Sequence, residues 1–408
     1  MFGLQVEIYK IGCQILKRNK KAIEFYSTQT ISRKDKDIVN KVLSSDFLSR
    51  GPKIVEFERS LGRFCDNNFV LSVNSATSAL QLAYHVNNVE PKTRVWTSPI
   101  TFVATSNAAV HFGAEIDFVD IDRDTLNISI HALEEKLIKA KSQNKMPNIL
   151  TVVHFAGNPC DMEAIANLAK NYNFKILEDA SHALGASYKN ERIGNNKYSD
   201  GCIFSFHPVK MITTGEGGCL LLKNKEQFVR AESLRSHGIA KTNAAFYNER
   251  PAWFYEQTDL GYNYRLSEIQ AALGLSQMLR LESFVKKRNR LALRYKKNLR
   301  GLPVKFQKIM DGSVSSFHLF TIEICDEGFS RNQLYYHLKE KSIASQVHYI
   351  PVHLQPFYLN RGFSEGMYEN SEKYYSRCLS LPLHPGITFK DVDYVCEKIT
   401  EFFSKTSR

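Results

Sequence analysis

"FVLSVNSATSALQLAYHV", residues 69–86, changes character in its middle. Its first five residues form a short apolar run, which reads as a buried strand. From Ala76 the spacing turns helical, over "ATSALQLAYHV" (76–86). Between the two lie small and mostly polar residues, Asn74, Ser75, Ala76, Thr77 and Ser78. A helix opening there offers free backbone N–H groups and a positive dipole end, a ready seat for an anion. Taken alone, Ser75 or Thr77 is as well explained as a plain N-cap.

The same alternation recurs outward from this stretch. "RVWTS" (94–98) precedes "FVATSNAAVHF" (102–112), and "EIDFVDI" (115–121) precedes "SIHALEEKLIKAK" (129–141). "NILTVVHF" (148–155) precedes "DMEAIANLAKNY" (161–172), and "FKILE" (174–178) follows. Strands and helices alternating at this spacing predict βαβ units and a mostly parallel sheet covered on both faces. Ligands of such sheets bind beyond the carboxyl ends of the strands. The residues just after each strand are therefore the informative ones.

Composition narrows the classes. A chain of 408 residues exceeds what one core usually supports, which predicts two lobes. Its 43% hydrophobic and 24% charged content is that of a soluble globular protein, and no apolar run has membrane-spanning length. The start lacks a basic stretch ahead of a compact apolar block, so no cleavable leader is expected. The eight cysteines are scattered without a CxxC pair, which suggests neither a metal site nor a disulfide framework. A reducing, cytoplasmic location is expected. The formal charge of +12 suits an anionic, phosphate-bearing substrate. No aromatic-interleaved basic stripe or helix-turn-helix pattern supports nucleic-acid binding. Within residues 1–25, Leu4, Ile8, Ile11 and Ile15 share one helical face beside a basic cluster. That extension reads as a helix packed on the protein, or as one touching an anionic membrane surface.

The strand ends carry a coherent set of groups. Phe102 follows "RVWTS", and Asp179 follows "FKILE" together with Ser181 and His182. "SFHPVKMITTGEGG" (205–218) places Ser205, His207 and Lys210 between two predicted core strands, "GCIFSF" (201–206) and "GGCLLL" (217–222). A lysine on a tight connection there is held and partly desolvated, so it loses its proton near neutral pH. An anion cradle, an aromatic face, a carboxylate and an amine are the set that pyridoxal 5′-phosphate requires. Its phosphate takes the helix start, its ring stacks, its ring nitrogen pairs with the acid, and its aldehyde reacts with the lysine. No Walker A or GxGxxG motif competes for the cradle.

"NSATSAL", "SPITFVAT", "ILEDASHALGASY", "FSFHPVKMITTGEGG", "LRSHG" and "LGYNYRLSEIQAALGLSQ" resemble the DegT/DnrJ/EryC1/StrS family of sugar-nucleotide aminotransferases, from about Tyr26 to the C-terminus. The resemblance implies an α/β, fold-type I architecture. It has a large cofactor-binding lobe with a mostly parallel sheet (26–275), a smaller C-terminal α/β lobe (276–408) and a homodimer with sites at the interface. It implies Lys210 as the cofactor-binding lysine and Asp179 as the partner of the ring nitrogen. Phe102 is the stacking residue, and His182 a contact near the cofactor's phenolic oxygen. Thr77 and Ser78 match the phosphate-binding pair, Ser205 is a further cofactor contact, and Asn263 reaches in from the neighbouring subunit. Tyr26, Asp46, Phe47, Leu48, Ser49, Ala76, Gln346, Val347, His348 and Tyr349 match positions that line the sugar-nucleotide pocket. Met211 departs from the usual proline, and about twenty residues precede the family's usual start.

The implied reaction moves an amino group from L-glutamate, leaving 2-oxoglutarate, to C4 of a UDP-linked 4-keto-6-deoxy-N-acetylhexosamine. "QVHYIPVHLQPFY" (346–358) and "LPLHP" (381–385) point to UDP-4-amino-4,6-dideoxy-N-acetyl-β-L-altrosamine, of the pseudaminic acid route, as the product. The rivals are a sibling aminotransferase on another keto sugar and a cofactor-free regulatory or nucleic-acid-binding protein. A 3-dehydratase of the same family is disfavoured, because those carry histidine where this chain has Lys210.

Overall fold

A computed structural model describes residues 22–240 and 253–405. The face formed by Leu4, Ile8, Ile11 and Ile15 lies outside the described residues. Two helices, α1 (Arg33–Leu43) and α2 (Pro52–Cys65), precede the first strand. The alternation then runs β1 (Val70–Val73), α3 (Ala76–Val86), β2 (Arg94–Thr97), α4 (Ala104–Val110), β3 (Glu115–Phe118), α5 (Ile130–Ser142), β4 (Ile149–Val153), α6 (Met162–Tyr172) and β5 (Lys175–Asp179). Two further strands, β6 (Gly201–Ser205) and β7 (Gly218–Leu222), complete a seven-stranded sheet.

The spatial order is β1-β7-β6-β5-β4-β2-β3. Every pairing is parallel except those of β7, which runs against both β1 and β6. Alternation along the strands sends side chains to two cores. Leu150, Val152, Ile176, Phe204 and Leu221 face one. Leu71, Val95, Ile149, Leu177, Ile203 and Leu220 face the other. Burial on both faces is why these strands read as continuous apolar runs.

The residues linking β6 to β7 do not form the tight connection expected. They make a broad loop over 206–217, closed at its base by Phe206 N–H donating to Gly217 O at 2.9 Å. Lys210 lies on it, its backbone N–H donating to His207 O at 2.9 Å.

Beyond α7 (Lys225–Arg235), the helical pattern over 266–284 is broken in the structure. It gives α8 (Glu268–Met278) and α9 (Leu281–Asn298), separated at Leu279 and Arg280. The break lets α8 pack on α1 and α2 while α9 leads away. Leu281 and Val285 of α9 remain in the first core, and Leu291, Ala292 and Tyr295 enter another. That core covers the antiparallel sheet of β8 (Val304–Phe306), β9 (Phe320–Ile324) and β10 (Cys378–Leu381). Helices α10 (Arg331–Glu340) and α11 (Phe389–Lys405) pack over it. Ile23 also belongs to this core and bridges to Ile343. The segment around Ile23 is thereby tied to the core that the C-terminal sheet covers.

No helix among the described residues is long and apolar enough to cross a membrane. The described cysteines are unpaired, and all but Cys325 are buried.

Candidate active site

The carboxyl ends of β1, β2, β4, β5 and β6 open onto a cavity of about 390 Å³. Ala76 and Thr77 line it from the start of α3, Phe102 from the end of β2, and Asp179 and His182 from the end of β5. Ser205, Lys210 and Gly217 line it from the β6–β7 side. Tyr26, His318, His348 and Tyr349 close it from the C-terminal sheet.

The anion cradle follows from local capping. Ser75 is the N-cap of α3, and its hydroxyl accepts the N–H of Ser78 at 3.1 Å. The N–H groups of Ala76 and Thr77 make no bond among the described residues, and both residues face the cavity. Ser78 does not line it; its hydroxyl donates to Asn74 Oδ1 at 2.6 Å and lies 2.9 Å from Ser75 Oγ. The start of β7 packs against this turn only because residue 218 is glycine. A Cβ there would sit 2.5 Å from the Ala76 nitrogen.

Asp179 is 6% exposed. The Thr105 hydroxyl donates to its Oδ2 at 2.7 Å, and the Ser181 N–H to its Oδ1 at 3.2 Å. The carboxylate is thus oriented and retains acceptor capacity toward the cavity. Phe102 is 59% exposed, so its ring is not a core ring; it presents an open apolar face. Burial pushes the Lys210 amine down to about 8, against the pull of Asp179. Roughly a tenth of such amines are uncharged at pH 7, where an ordinary lysine has almost none.

Three buried imidazoles line the cavity with this amine. Burial and the Lys210 charge hold His182 and His318 well below the usual histidine range and His348 near 3. All three are neutral at physiological pH. The His182 and His318 rings are 4.4 Å apart. His348 Nδ1 is 2.8 Å from Ser380 Oγ, and its ring lies 5.1 Å from that of Tyr26. Burial raises the Tyr26 and Tyr349 hydroxyls above the ordinary tyrosine range, so both keep their protons.

These groups fit pyridoxal 5′-phosphate. The fit rests on unbonded N–H groups at a helix start that glycine lets β7 approach, with an open aromatic face, a braced carboxylate and a desolvated amine around one cavity.

Of the residues singled out from the sequence, Tyr26, Ala76, Thr77, Phe102, Asp179, His182, Ser205, Lys210, His348 and Tyr349 line this cavity. Ser78, Asp46, Phe47, Leu48, Ser49, Asn263, Gln346 and Val347 do not. Asp46–Ser49 and Asn263 are exposed on the outside of the chain. Asn263 stands beside the cradle, its carbonyl 3.4 Å from Asn74 Nδ2. Gln346 pairs with Ser380 through the backbone, and Val347 packs on the C-terminal core. Sequence reasoning missed Thr105 and His318. Thr105 reads as an ordinary helix residue, and only the fold brings it to Asp179. His318, in "SSFHLF", precedes a strand of a different sheet, where nothing local marks it.

The family model for DegT/DnrJ/EryC1/StrS aminotransferases matches residues 29–400. The chain is 39% identical over 385 residues to the UDP-4-amino-4,6-dideoxy-N-acetyl-beta-L-altrosamine transaminase of Campylobacter jejuni serotype O:2, covering 94% of this chain and 98% of that protein. It is 36% identical to the Bacillus subtilis spore coat polysaccharide biosynthesis protein SpsC, over 92% and 96% of the two chains. Its structure resembles Helicobacter pylori PseC, an aminotransferase involved in pseudoaminic acid biosynthesis. There the TM-score is 0.84 and the identity 30%, over 93% of this chain and 99% of that one. The PLP form of the Streptococcus pneumoniae putative sugar aminotransferase Spr1654 gives a TM-score of 0.85 at 28% identity, over 95% and 100%. With the cavity so furnished, the chain belongs to the DegT/DnrJ/EryC1/StrS family and is a sugar aminotransferase whose cofactor is pyridoxal 5′-phosphate.

Proposed function

We propose that the enzyme transfers an amino group from L-glutamate to C4 of a UDP-linked 4-keto-6-deoxy-N-acetylhexosamine, giving UDP-4-amino-4,6-dideoxy-N-acetyl-β-L-altrosamine. The observation that carries the chemistry is Lys210, an amine made partly neutral by burial within the same cavity as the buried acid Asp179 and the open ring of Phe102. The similarity to altrosamine transaminases, 39% and 37% identical over nearly the whole chain, supports the sugar.

Bound in this cavity, the cofactor supplies an electron sink for the carbon that carries the migrating amine. The Ala76 and Thr77 N–H groups hold its phosphate at the positive end of α3. Phe102 covers one face of its ring. Asp179, braced by Thr105, keeps its ring nitrogen protonated. Lys210 would anchor it, then take the proton from the glutamate carbon that gives up the amine and deliver a proton to the sugar C4 that receives it, work that an amine with a pKa near 8 performs at neutral pH. Tyr26, His348 and Tyr349 exclude water and orient the sugar. The exposed Asp46–Ser49 loop and Asn263 serve the cavity of a second copy in a homodimer.

The test is incubation with L-glutamate and a panel of UDP- and dTDP-linked 4-keto sugars, the amino-sugar products being read by mass. The altrosamine product from the UDP-linked acetamido sugar is expected. Turnover confined to another member of the panel rejects this substrate and favours a sibling activity.

A further inference from the structure

A second buried carboxylate, Glu178, precedes Asp179 in the chain. Ile176 and Leu177 of β5 enter opposite cores, so Glu178 points with Ile176, to the far face of the sheet, and Asp179 with Leu177. Glu178 does not line the cavity. Each of its oxygens is met by one buried donor. His154 Nε2, just after β4, lies 2.7 Å from Oε2, and the hydroxyl of Ser199, just before β6, donates to Oε1. With both oxygens accepting, the carboxyl keeps no proton of its own.

The proton count of His154 decides whether that charge is balanced. Burial opposes a positive charge on the ring, while Cys160 and Glu178 favour one, the net pull being upward. The Cys160 N–H settles the matter. It donates to Nδ1 at 3.0 Å, and a backbone amide only donates, so Nδ1 presents a lone pair. The ring therefore carries a single proton, on Nε2. The Cys65 thiol of α2 and the Cys202 thiol of β6 also feel Glu178; burial pushes the first up to about 12 and the second well above the ordinary thiol range, so both are neutral. Arg192, which acts on Cys65, is bound to Glu282 at 3.1 Å. Among the described residues no lysine or arginine pairs with Glu178.

A buried ion without a countercharge is costly. The end of β5 thus brings two carboxylates to the site, one on each face of the sheet. Lys210 is the one lysine or arginine among the described residues that line the cavity, and burial holds the imidazoles lining it below the ordinary histidine range. We propose that Glu178 is a positioning residue acting through Asp179: its unbalanced charge, fixed by His154 and Ser199, strengthens the hold of Asp179 on a proton and so favours a protonated ring nitrogen on the cofactor bound there. The proposal rests on the aminotransferase reading. Glutamine in place of Glu178 keeps an oxygen for His154 and offers its NH₂ to the Ser199 oxygen, so it removes the charge and little else.

The first measurement is on the cofactor-free protein labelled with ¹⁵N in histidine. His154, assigned through the Cys160 amide, is expected to carry one proton, on Nε2, from about pH 6 to 8. An imidazolium there overturns the proposal, because the Glu178 charge would then be balanced within its own pair. The second measurement compares the affinity for pyridoxal phosphate with that for its 1-deaza analogue, in which carbon replaces the ring nitrogen. At pH 7 Glu178→Gln is expected to bind pyridoxal phosphate about tenfold more weakly than wild type does, and the analogue equally well. Ser199→Ala, which keeps the charge, should leave the ratio of the two affinities unchanged. Equal weakening toward both compounds in Glu178→Gln would make the network a structural one only, and wild-type affinity for both would leave the charge without effect; either result overturns the proposal. The ¹⁵N result is read on wild-type protein and decides even where a variant does not fold. Wild-type protein that binds neither compound rejects the aminotransferase reading itself, whereas an imidazolium at His154 or an unchanged ratio in Glu178→Gln rejects this inference alone.

Discussion

At the residue scale, Lys210 is a cation placed where water is scarce. Its amine has a pKa near 8 in the folded chain, against 10.5 for an ordinary lysine. Between these values the unfolded chain binds more protons, so stability rises with pH across that window. Below about pH 8 the penalty is fully present, on the order of 3 kcal/mol with the opposing pull of Asp179 already included. Cofactor-free Lys210→Met is therefore expected to be more stable than cofactor-free wild type at pH 7. The gap should narrow steadily as the pH approaches 10. Urea unfolding of both proteins at several pH values checks this; a gap independent of pH would mean the amine is not desolvated. The same substitution is expected to remove turnover, which a glutamate-dependent assay checks, so that function would oppose stability at one side chain.

At the scale of elements, α2 begins without a cap of its own. Its N-cap is Gly51, with Pro52 following. The buried Glu268, at the start of α8, supplies what is missing by accepting the N–H groups of Lys53 at 2.8 Å and Ile54 at 3.1 Å. The Glu268 N–H in turn donates to Leu48 O at 3.0 Å, fixing the loop that carries Asp46–Ser49. Glu268→Ala is expected to cost about 1–2 kcal/mol, as for loss of a helix cap. Glu268→Gln, which keeps an acceptor, should cost less. Chemical denaturation of the three proteins measures the order, and equal stability of Ala and Gln variants would remove the capping role. In "LSEIQAALGLSQMLRLESF" the periodicity predicts one helix, because Leu279 and Arg280 break no local rule. The break comes from outside the segment: Arg280 is drawn to Asp35 and to the carbonyl of Thr30 at 3.1 Å. Ties to residues some 250 positions away leave no local trace.

At the scale of the whole molecule, one chain leaves part of its sequence-predicted pocket on its outer surface. Phe47 and Leu48 are 53% and 50% exposed, and Asn263 is exposed and does not line the cavity that holds Lys210. A two-fold dimer would make each cavity draw on both chains, reciprocally. Lys210→Ala and Asn263→Ala chains, unfolded and refolded together, should then form heterodimers with one doubly defective and one intact site. Activity above the sum of the separate variants is the expected result. Heterodimers confirmed by mass but without recovery would show that each chain completes its own site.

The sequence by itself determined the α/β alternation, because strands buried on both faces are apolar throughout and the intervening helices are amphipathic. It also marked Thr77, Phe102, Asp179, Ser205 and Lys210, since a parallel sheet puts the residues after its strands at one edge. Tertiary structure alone decided which groups orient them. Thr105 braces Asp179 from 74 positions away, and the Ala156 N–H meets the His182 ring from 26. Such bonds depend on ångström-scale approach between elements that are distant in the chain, and no period or motif within either element encodes that distance.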